Sequence, residues 1–315
     1  MDPSLPERYA RTVRLSDGRV LGYAEAGDPE GMPMVLFHGT PSSRLDAYWL
    51  DGPARRAGWR LIAPDRPAHG LSTPQPGRRL VDVADDVAEL ADQLGLDRFA
   101  VLGFSGGGPY ALATAHRLGD RVHLIGIVSG WGPPDRPGAY DGVARGEQFF
   151  DAMARSWPGL SRVGFGVLRG LVERAPGLAT WLLELRLPRP EDSLPDRPVF
   201  RAVPSDVPDL TAGPTAELTA IGPLREALRQ GPAGPAEDLH LIVRPWGFPI
   251  GDVVAPVRLW HGSADGEIPV HHAEFLARIV PDGRLEVIEG GDHLMLFLEA
   301  DHVLGALATE LRRVS

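Results

Sequence analysis

The sequence contains no cysteine, and this absence removes several kinds of chemistry at once. Disulfide bonds, thiolate metal sites and cysteine nucleophiles are all excluded. Lysine is missing as well, so each of the 32 basic residues is an arginine. Together with the abundance of alanine, glycine and proline, this bias indicates a GC-rich bacterial genome rather than a particular function.

Two further absences concern location and partners. No uninterrupted apolar run of about 18 residues occurs, so no membrane-spanning helix is predicted. Residues 1–10 are polar and contain proline, unlike a secretory signal peptide, and we therefore expect a cytoplasmic protein. The formal net charge of −10 argues against nucleic acid as a partner, because nucleic-acid-binding surfaces are basic. We expect a small-molecule substrate and a monomer or homodimer.

Short apolar runs alternate with helical patterns in the first 130 residues, which is typical of a mainly parallel sheet. Strands are predicted at residues 20–26, 34–37, 59–63, 99–102 and 121–128, and helices at 79–94 and 106–118. The alternation stops after Ser129 and resumes with strands at 257–260 and 285–288 and helices at 271–279 and 294–312. We therefore expect an α/β core formed by residues 1–130 and 256–315, interrupted by a mainly helical cap over residues 131–255.

The run Gly103-Phe104-Ser105-Gly106-Gly107 lies between a predicted strand and a predicted helix. In this position Gly-x-Ser-x-Gly indicates a nucleophile elbow, a sharp turn whose flanking glycines let strand and helix approach each other. The N–H of Gly106 opens the helix and can face a developing oxyanion. A phosphate-binding loop is the competing interpretation, but neither Gly-Lys-Ser/Thr nor the Gly-x-Gly-x-x-Gly spacing is present. We predict that Ser105 is a nucleophile.

A serine hydroxyl needs a base to remove its proton and a carboxylate to orient that base. Asp265 and His293 each follow a predicted strand directly, with room for one helix and one strand between them. The chain order Ser, Asp, His is the one that a nucleophile elbow requires. Asp265 could also be an ordinary turn residue before Gly266, and Glu267 is the nearest alternative acid. The prediction is a triad of Ser105, Asp265 and His293.

The run His38-Gly39-Thr40-Pro41 follows the strand predicted at 34–37, where a second oxyanion donor is expected. Gly39 lets the loop turn tightly, and the Thr40 N–H is the candidate donor beside that of Gly106. His38 is expected to hold the loop by hydrogen bonds rather than to transfer protons. A plain turn without a catalytic role remains an alternative.

Metal and cofactor sites are not expected. His271 and His272 are adjacent, so on a helix they point in different directions and make a poor pair of metal ligands.

Several of these motifs resemble those of one known group of proteins. They are the runs 38–44, 65–72, 103–107, 260–265 and 291–293. The set is similar to the α/β-hydrolase superfamily, in particular to its bacterial esterase, lipase and cofactor-free haloperoxidase-like branch. The resemblance covers the core almost end to end but not the cap. It implies an α/β-hydrolase fold, a mostly parallel sheet flanked by helices with an inserted helical cap. It also implies a serine hydrolase that cleaves a carboxylic ester or a related acyl bond through an acyl-enzyme. The aromatic and aliphatic residues of the predicted cap favour a small, partly apolar substrate.

The sequence departs from the family pattern after residue 66. Where the family often has Gly-x-Gly-x-Ser, this chain has Ala68-His69-Gly70-Leu71-Ser72, which would put His69 near the mouth of the site. Haloalkane dehalogenase and epoxide hydrolase relatives use aspartate as nucleophile, so Ser105 argues against both chemistries.

Other functions remain open on the sequence. A lyase or a cofactor-free haloperoxidase-like enzyme would use the histidine as a base without an acyl-enzyme. A non-hydrolytic tailoring enzyme of secondary metabolism is another alternative. A catalytically silent ligand-binding protein is a further alternative, against which the complete Ser–Asp–His set argues.

Overall fold

A computed structural model describes residues 5–143, 145–176, 178 and 221–314 of the chain. Within these residues eight strands form one sheet in the order β1-β2-β4-β3-β5-β6-β7-β8. The strands are β1 (Arg11–Arg14), β2 (Val20–Gly27), β3 (Met32–Phe37), β4 (Trp59–Pro64), β5 (Phe99–Phe104), β6 (Val122–Val128), β7 (Val257–Gly262) and β8 (Gly283–Ile288). The β1–β2 and β2–β4 pairs are antiparallel, and the pairs from β4 to β8 are parallel.

Helices cover both faces of this sheet. In chain order they are α1 (Asp46–Trp49), α2 (Asp51–Ala57), α3 (Val83–Gln93), α4 (Gly108–Leu118), α5 (Arg145–Ser156), α6 (Pro158–Arg174), α7 (Ile221–Ala227), α8 (Ala233–Ile242), α9 (His271–Ile279), α10 (Met295–Leu298) and α11 (Ala300–Val314). No helix in the described part of the chain is long and apolar enough to cross a bilayer.

The central strands are apolar along their whole length because both faces of the sheet are buried. Successive side chains point to opposite faces, so Leu102 and Leu124 cluster with α2 and α11. Their neighbours Val101 and Ile125 cluster instead with α3, α4 and α9 on the other face. This arrangement confirms the predicted α/β-hydrolase fold, with its mostly parallel sheet flanked by helices.

The predicted core strands all occur, and three local features differ from expectation. Strand β1 was not predicted because its Arg-Thr-Val-Arg sequence is polar and largely exposed at the sheet edge. Helix α2 was not predicted either. The single closing helix expected at 294–312 is divided at Glu299, which lies between α10 and α11.

The described residues between β6 and β7, called the insertion below, contain helices α5 to α8. Six buried side chains from α6 to α8 make a small core of their own: Phe165, Val172, Ile221, Leu224, Leu228 and Ala236. Beyond α8 the chain turns back to the main body, since Ile242, Trp246 and Ile250 pack in the same cluster as Phe37 of β3. Residues 179–220 of the expected cap lie outside the described residues. The cap boundaries of 131 and 255 stay a prediction.

Candidate active site

The turn from β5 into α4 places Ser105 at the carboxyl edge of the sheet. Ser105 has φ of +50°, a left-handed conformation that is uncommon for a residue with a side chain. A Cβ at Gly103 would lie 2.6 Å from the carbonyl oxygen of Gly107, and a Cβ at Gly107 would lie 2.2 Å from that of Phe37. Only glycine avoids these clashes, so the two glycines permit the close approach of strand, turn and helix.

A continuous chain of hydrogen bonds runs from Ser105 to Asp265. Ser105 Oγ lies 2.9 Å from His293 Nε2, and His293 Nδ1 lies 2.9 Å from Asp265 Oδ2. The other carboxylate oxygen of Asp265 accepts the backbone N–H groups of Glu267 and Ile268, each at 2.9 Å. These two bonds fix the carboxylate while its second oxygen faces the histidine. The structure thus brings together three side chains that are far apart in sequence.

The charges around His293 suit it to accept a proton. Burial opposes ionisation of Asp265, but hydrogen bonds from His261 and His293 outweigh it and hold the pKa of this carboxyl well below its usual range. Burial likewise lowers the pKa of His293, yet the hydrogen bond to Asp265 and the charge of Glu267 outweigh it. The pKa of His293 is therefore raised above its ordinary value of 6.5.

Sequence reasoning gave no role to His261, which lies beneath this carboxylate. Its ring is wholly buried, and its Nε2 lies 2.7 Å from the carbonyl oxygen of Ile268 and 3.3 Å from Asp265 Oδ2. His261 and His293 therefore both lie against Oδ2 of Asp265. His261 belongs to the run 260–265, which is one of the motifs that carry the family resemblance. That run was the only feature of the sequence that could have pointed to His261.

The loop after β3 faces the elbow across Gly106. A Cβ at Gly106 would lie 2.6 Å from Thr40 Oγ1, so Thr40 lies directly against this glycine. The Gly106 N–H stands at the first helical turn, where backbone N–H groups lack an intrahelical acceptor. The Gly39 N–H donates to Asp46 Oδ2 at 3.3 Å, whereas the Thr40 N–H has no acceptor among the described residues. Thr40 and Gly106 thus each present an N–H group that has no acceptor among the described residues.

The two histidines beneath the loop are wholly buried. His38 Nδ1 donates to the Gly39 carbonyl at 2.8 Å, and its Nε2 accepts the N–H of Arg66 at 3.4 Å. Burial, with the charge of Arg66, holds the pKa of His38 well below its ordinary value, so the ring is neutral. His69 is wholly buried 3.4 Å from Asp238 rather than at a mouth, and burial lowers its pKa to about 4.

Comparisons with known proteins agree with this architecture. The sequence model for the alpha/beta hydrolase fold matches residues 32–155. Among solved structures, a thermophilic esterase from Thermogutta terrifontis superposes with a TM-score of 0.64 at 22% identity, covering 97% of this chain and 99% of that one. An esterase from Exiguobacterium antarcticum gives a TM-score of 0.62 at 19% identity, covering 96% and 99%.

The chain has the α/β-hydrolase fold.

Curated proteins match this chain over part of their length. A non-heme chloroperoxidase from Streptomyces lividans is 30% identical over 185 residues, 51% of this chain and 65% of that protein. Haloalkane dehalogenase 2 from Mycobacterium tuberculosis is 33% identical over 132 residues, 41% of this chain and 45% of that protein. The chain thus spans less than half the length of the dehalogenase, and the solved structures, at their low identity, show the fold alone.

The part of the chain that the structure describes contains no group of three or more potential metal-ligating side chains. It does contain a buried ionic cluster that sequence reasoning missed, centred on Arg66 and Asp238. Arg66 lies in the run 65–72, which carries the family resemblance, but Asp238 has no sequence signal beyond its place on a helix.

Proposed function

We propose that this protein is a serine hydrolase that cleaves a carboxylic ester through an acyl-enzyme. The observation that supports the proposal most directly is the hydrogen-bonded chain from Ser105 through His293 to Asp265, at 2.9 Å for each link. The Thr40 and Gly106 N–H groups beside it would donate hydrogen bonds to the oxyanion. Together these five residues supply a nucleophile, a base, an orienting acid and two oxyanion donors.

In the first half of the reaction Ser105 Oγ attacks the ester carbonyl while His293 Nε2 takes its proton. The ionised Asp265 stabilises the imidazolium that forms. The negative charge on the carbonyl oxygen is held by the N–H groups of Thr40 and Gly106, each worth about 10²–10³-fold in turnover. His293 then gives the proton to the departing alcohol, and the acyl group stays on Ser105.

In the second half a water molecule replaces the alcohol. His293 removes a proton from the water as it attacks the acyl carbonyl, and the same two N–H groups hold the oxyanion. Collapse of the intermediate breaks the bond to Ser105 Oγ, which recovers its proton from His293. The products are one alcohol and one carboxylic acid, with no cofactor required.

Apolar side chains around the reacting groups favour a small, partly apolar substrate. The ring of Phe104 lies 5.5 Å from that of His293 and 5.0 Å from that of Phe297. Ile242, at the end of α8, lies 3.0 Å from where a Cβ of Gly106 would stand. The insertion thus reaches the elbow, as a cap that forms part of the substrate site would.

The test is covalent labelling with a fluorophosphonate probe, followed by peptide mapping and turnover of short-chain p-nitrophenyl esters. We expect the label on Ser105 and a loss of at least about 10⁴-fold in kcat for Ser105→Ala. Ser129→Ala is the matched control, because Ser129 is also buried, directly follows the neighbouring strand β6 and has φ of +49°. It should keep both labelling and turnover. An intact Ser105→Ala protein that turned over its substrate at the wild-type rate would point instead to a base-only mechanism.

A further inference from the structure

A single buried arginine holds the candidate oxyanion loop from below. The Arg66 guanidinium is wholly buried, with its Cζ 4.7 Å from the centre of the Tyr110 ring on α4. Its Nη1 donates to the carbonyl of His38 at 2.6 Å. Its Nη2 donates to the carbonyl of Gly39 at 2.8 Å and to Thr40 Oγ1 at 2.7 Å. One planar group therefore binds three consecutive residues of the loop.

The bond to Gly39 has a direct consequence for Thr40. The Gly39 carbonyl and the Thr40 N–H belong to the same planar trans peptide and point in opposite directions. A donor that fixes the carbonyl therefore also fixes the direction of the N–H. A positively charged donor on the oxygen draws electron density from the amide and makes its N–H a stronger donor.

The helical insertion supplies the partner of this arginine. Arg66 Nε donates to Oδ2 of Asp238, which lies on α8 and is wholly buried. The other oxygen of Asp238 accepts the hydroxyl of Tyr110 at 3.0 Å and a hydrogen bond from Arg78. Burial opposes its ionisation, but the charges of Arg66, His69 and Arg78 outweigh it and hold the pKa of Asp238 well below its usual range. The carboxylate is thus charged and fixes the plane of the guanidinium.

We propose that Arg66, held by Asp238, is a positioning residue that orients and polarises the Thr40 N–H for the oxyanion. The inference rests on the proposed acyl-transfer function. It implies that α8, which carries none of the three triad residues, helps to stabilise the transition state through a carboxylate wholly buried beneath the loop. A loss of this contact should lower the rate of the chemical step and leave substrate binding largely intact.

The variant Arg66→Lys tests the proposed positioning role of Arg66, because it keeps the positive charge and removes the planar guanidinium. A lysine ammonium cannot reach Asp238 and two carbonyls as a planar fork does. Arg44→Lys is the matched control. Arg44 is equally buried and pairs with an insertion carboxylate, Glu226 of α7, at 2.7 Å, but its side chain has no hydrogen bond to residues 38–40 among the described contacts.

The first readout is kcat per active site titrated with a fluorophosphonate, together with affinity for a trifluoromethyl ketone. For Arg66→Lys we expect kcat and the affinity for the trifluoromethyl ketone each to fall by about 10–10²-fold. This loss is smaller than the one expected when an oxyanion N–H is removed altogether. KM should stay within about threefold. Asp238→Asn should lower kcat and trifluoromethyl ketone affinity by a smaller factor. If Arg66→Lys folds poorly, Asp238→Asn replaces it as the test variant. Arg44→Lys should keep the wild-type kcat per titrated site.

The second readout does not depend on activity. The amide proton of Thr40 in a ¹H–¹⁵N spectrum should shift upfield in Arg66→Lys and stay in place in Arg44→Lys. A fully titrated Arg66→Lys with wild-type kcat, or an unmoved Thr40 amide, would overturn the inference. Failure of the proposed function would look different, because the wild-type protein itself would neither titrate nor turn over esters.

Discussion

Replacing Glu267 by glutamine should move the acid limb of the pH–rate profile to lower pH. Glu267 Oε2 lies 3.6 Å from His293 Nε2, and its side chain is 58% exposed. Its negative charge favours the imidazolium and so raises the pKa of His293. The base must be neutral to act, so activity is lost as the pH falls through this raised pKa. Removal of the charge lets His293 stay neutral to lower pH.

The size of the effect follows from the distance and the exposure. In a water-like dielectric, two unit charges at this distance attract by about 1 kcal/mol, and the exposure of Glu267 argues against a larger value. That energy corresponds to about 0.7 of a pH unit in the midpoint of the acid limb. Asp265 and Asp292 also raise the pKa of His293, and both remain in the variant, so the shift reports Glu267 alone.

The assay is kcat/KM for a neutral p-nitrophenyl ester between pH 5 and 9, because this parameter reports the free enzyme. Glu274→Gln on α9 is the control for removal of an exposed negative charge, since Glu274 is not among the carboxylates that raise the pKa of His293 most. The shift should shrink in about 1 M salt, where exposed charges are screened. A midpoint that stayed in place at low salt, or that moved to higher pH, would refute the reasoning.

Two further predictions concern the acid and the elbow. Asp265→Asn should lower kcat per titrated site by about 10⁴-fold, because the amide cannot stabilise the imidazolium; a loss below about tenfold would exclude Asp265 as the orienting acid. Gly107→Ala should lower the free energy of unfolding by about 3 kcal/mol or more in urea titrations, since its Cβ would meet the Phe37 carbonyl. Gly159→Ala, at an open position on α6, should instead be neutral or stabilising, and similar effects of the two changes would argue against the steric account.

Local sequence patterns predicted well those strands that are buried on both faces of the sheet. Strands such as β5 and β6 are apolar throughout, and their runs stand out against the polar turns on either side. Edge elements carry a weaker signal, because β1 pairs with β2 and contributes a single apolar side chain, Val13, to a core cluster. The division of the last helix at Glu299 depends on packing against the core and has no marker such as proline at that position.

The residues of the candidate site also fall into two groups: those that the sequence predicted and those that it did not. Ser105, Asp265 and His293 each follow a strand, and parallel strands bring their carboxyl ends to one edge of a sheet, so the chain order alone predicted their meeting. Arg66 and Asp238 could not be paired in this manner. They are separated by 172 positions and by the insertion, and no periodicity relates a loop after β4 to a face of α8.

The sequence by itself determined the class of fold, the glycines of the elbow and the candidates for nucleophile, acid and base, because each depends on local sterics or on strand order. Only the tertiary structure decided the rest. It placed Glu267 beside His293, His261 beneath Asp265, and the Arg66–Asp238 pair beneath the loop that carries Thr40. Hydrogen bonds and buried charges act over about 3 Å between residues distant in the chain, and such contacts exist only after the sheet and the insertion have packed together.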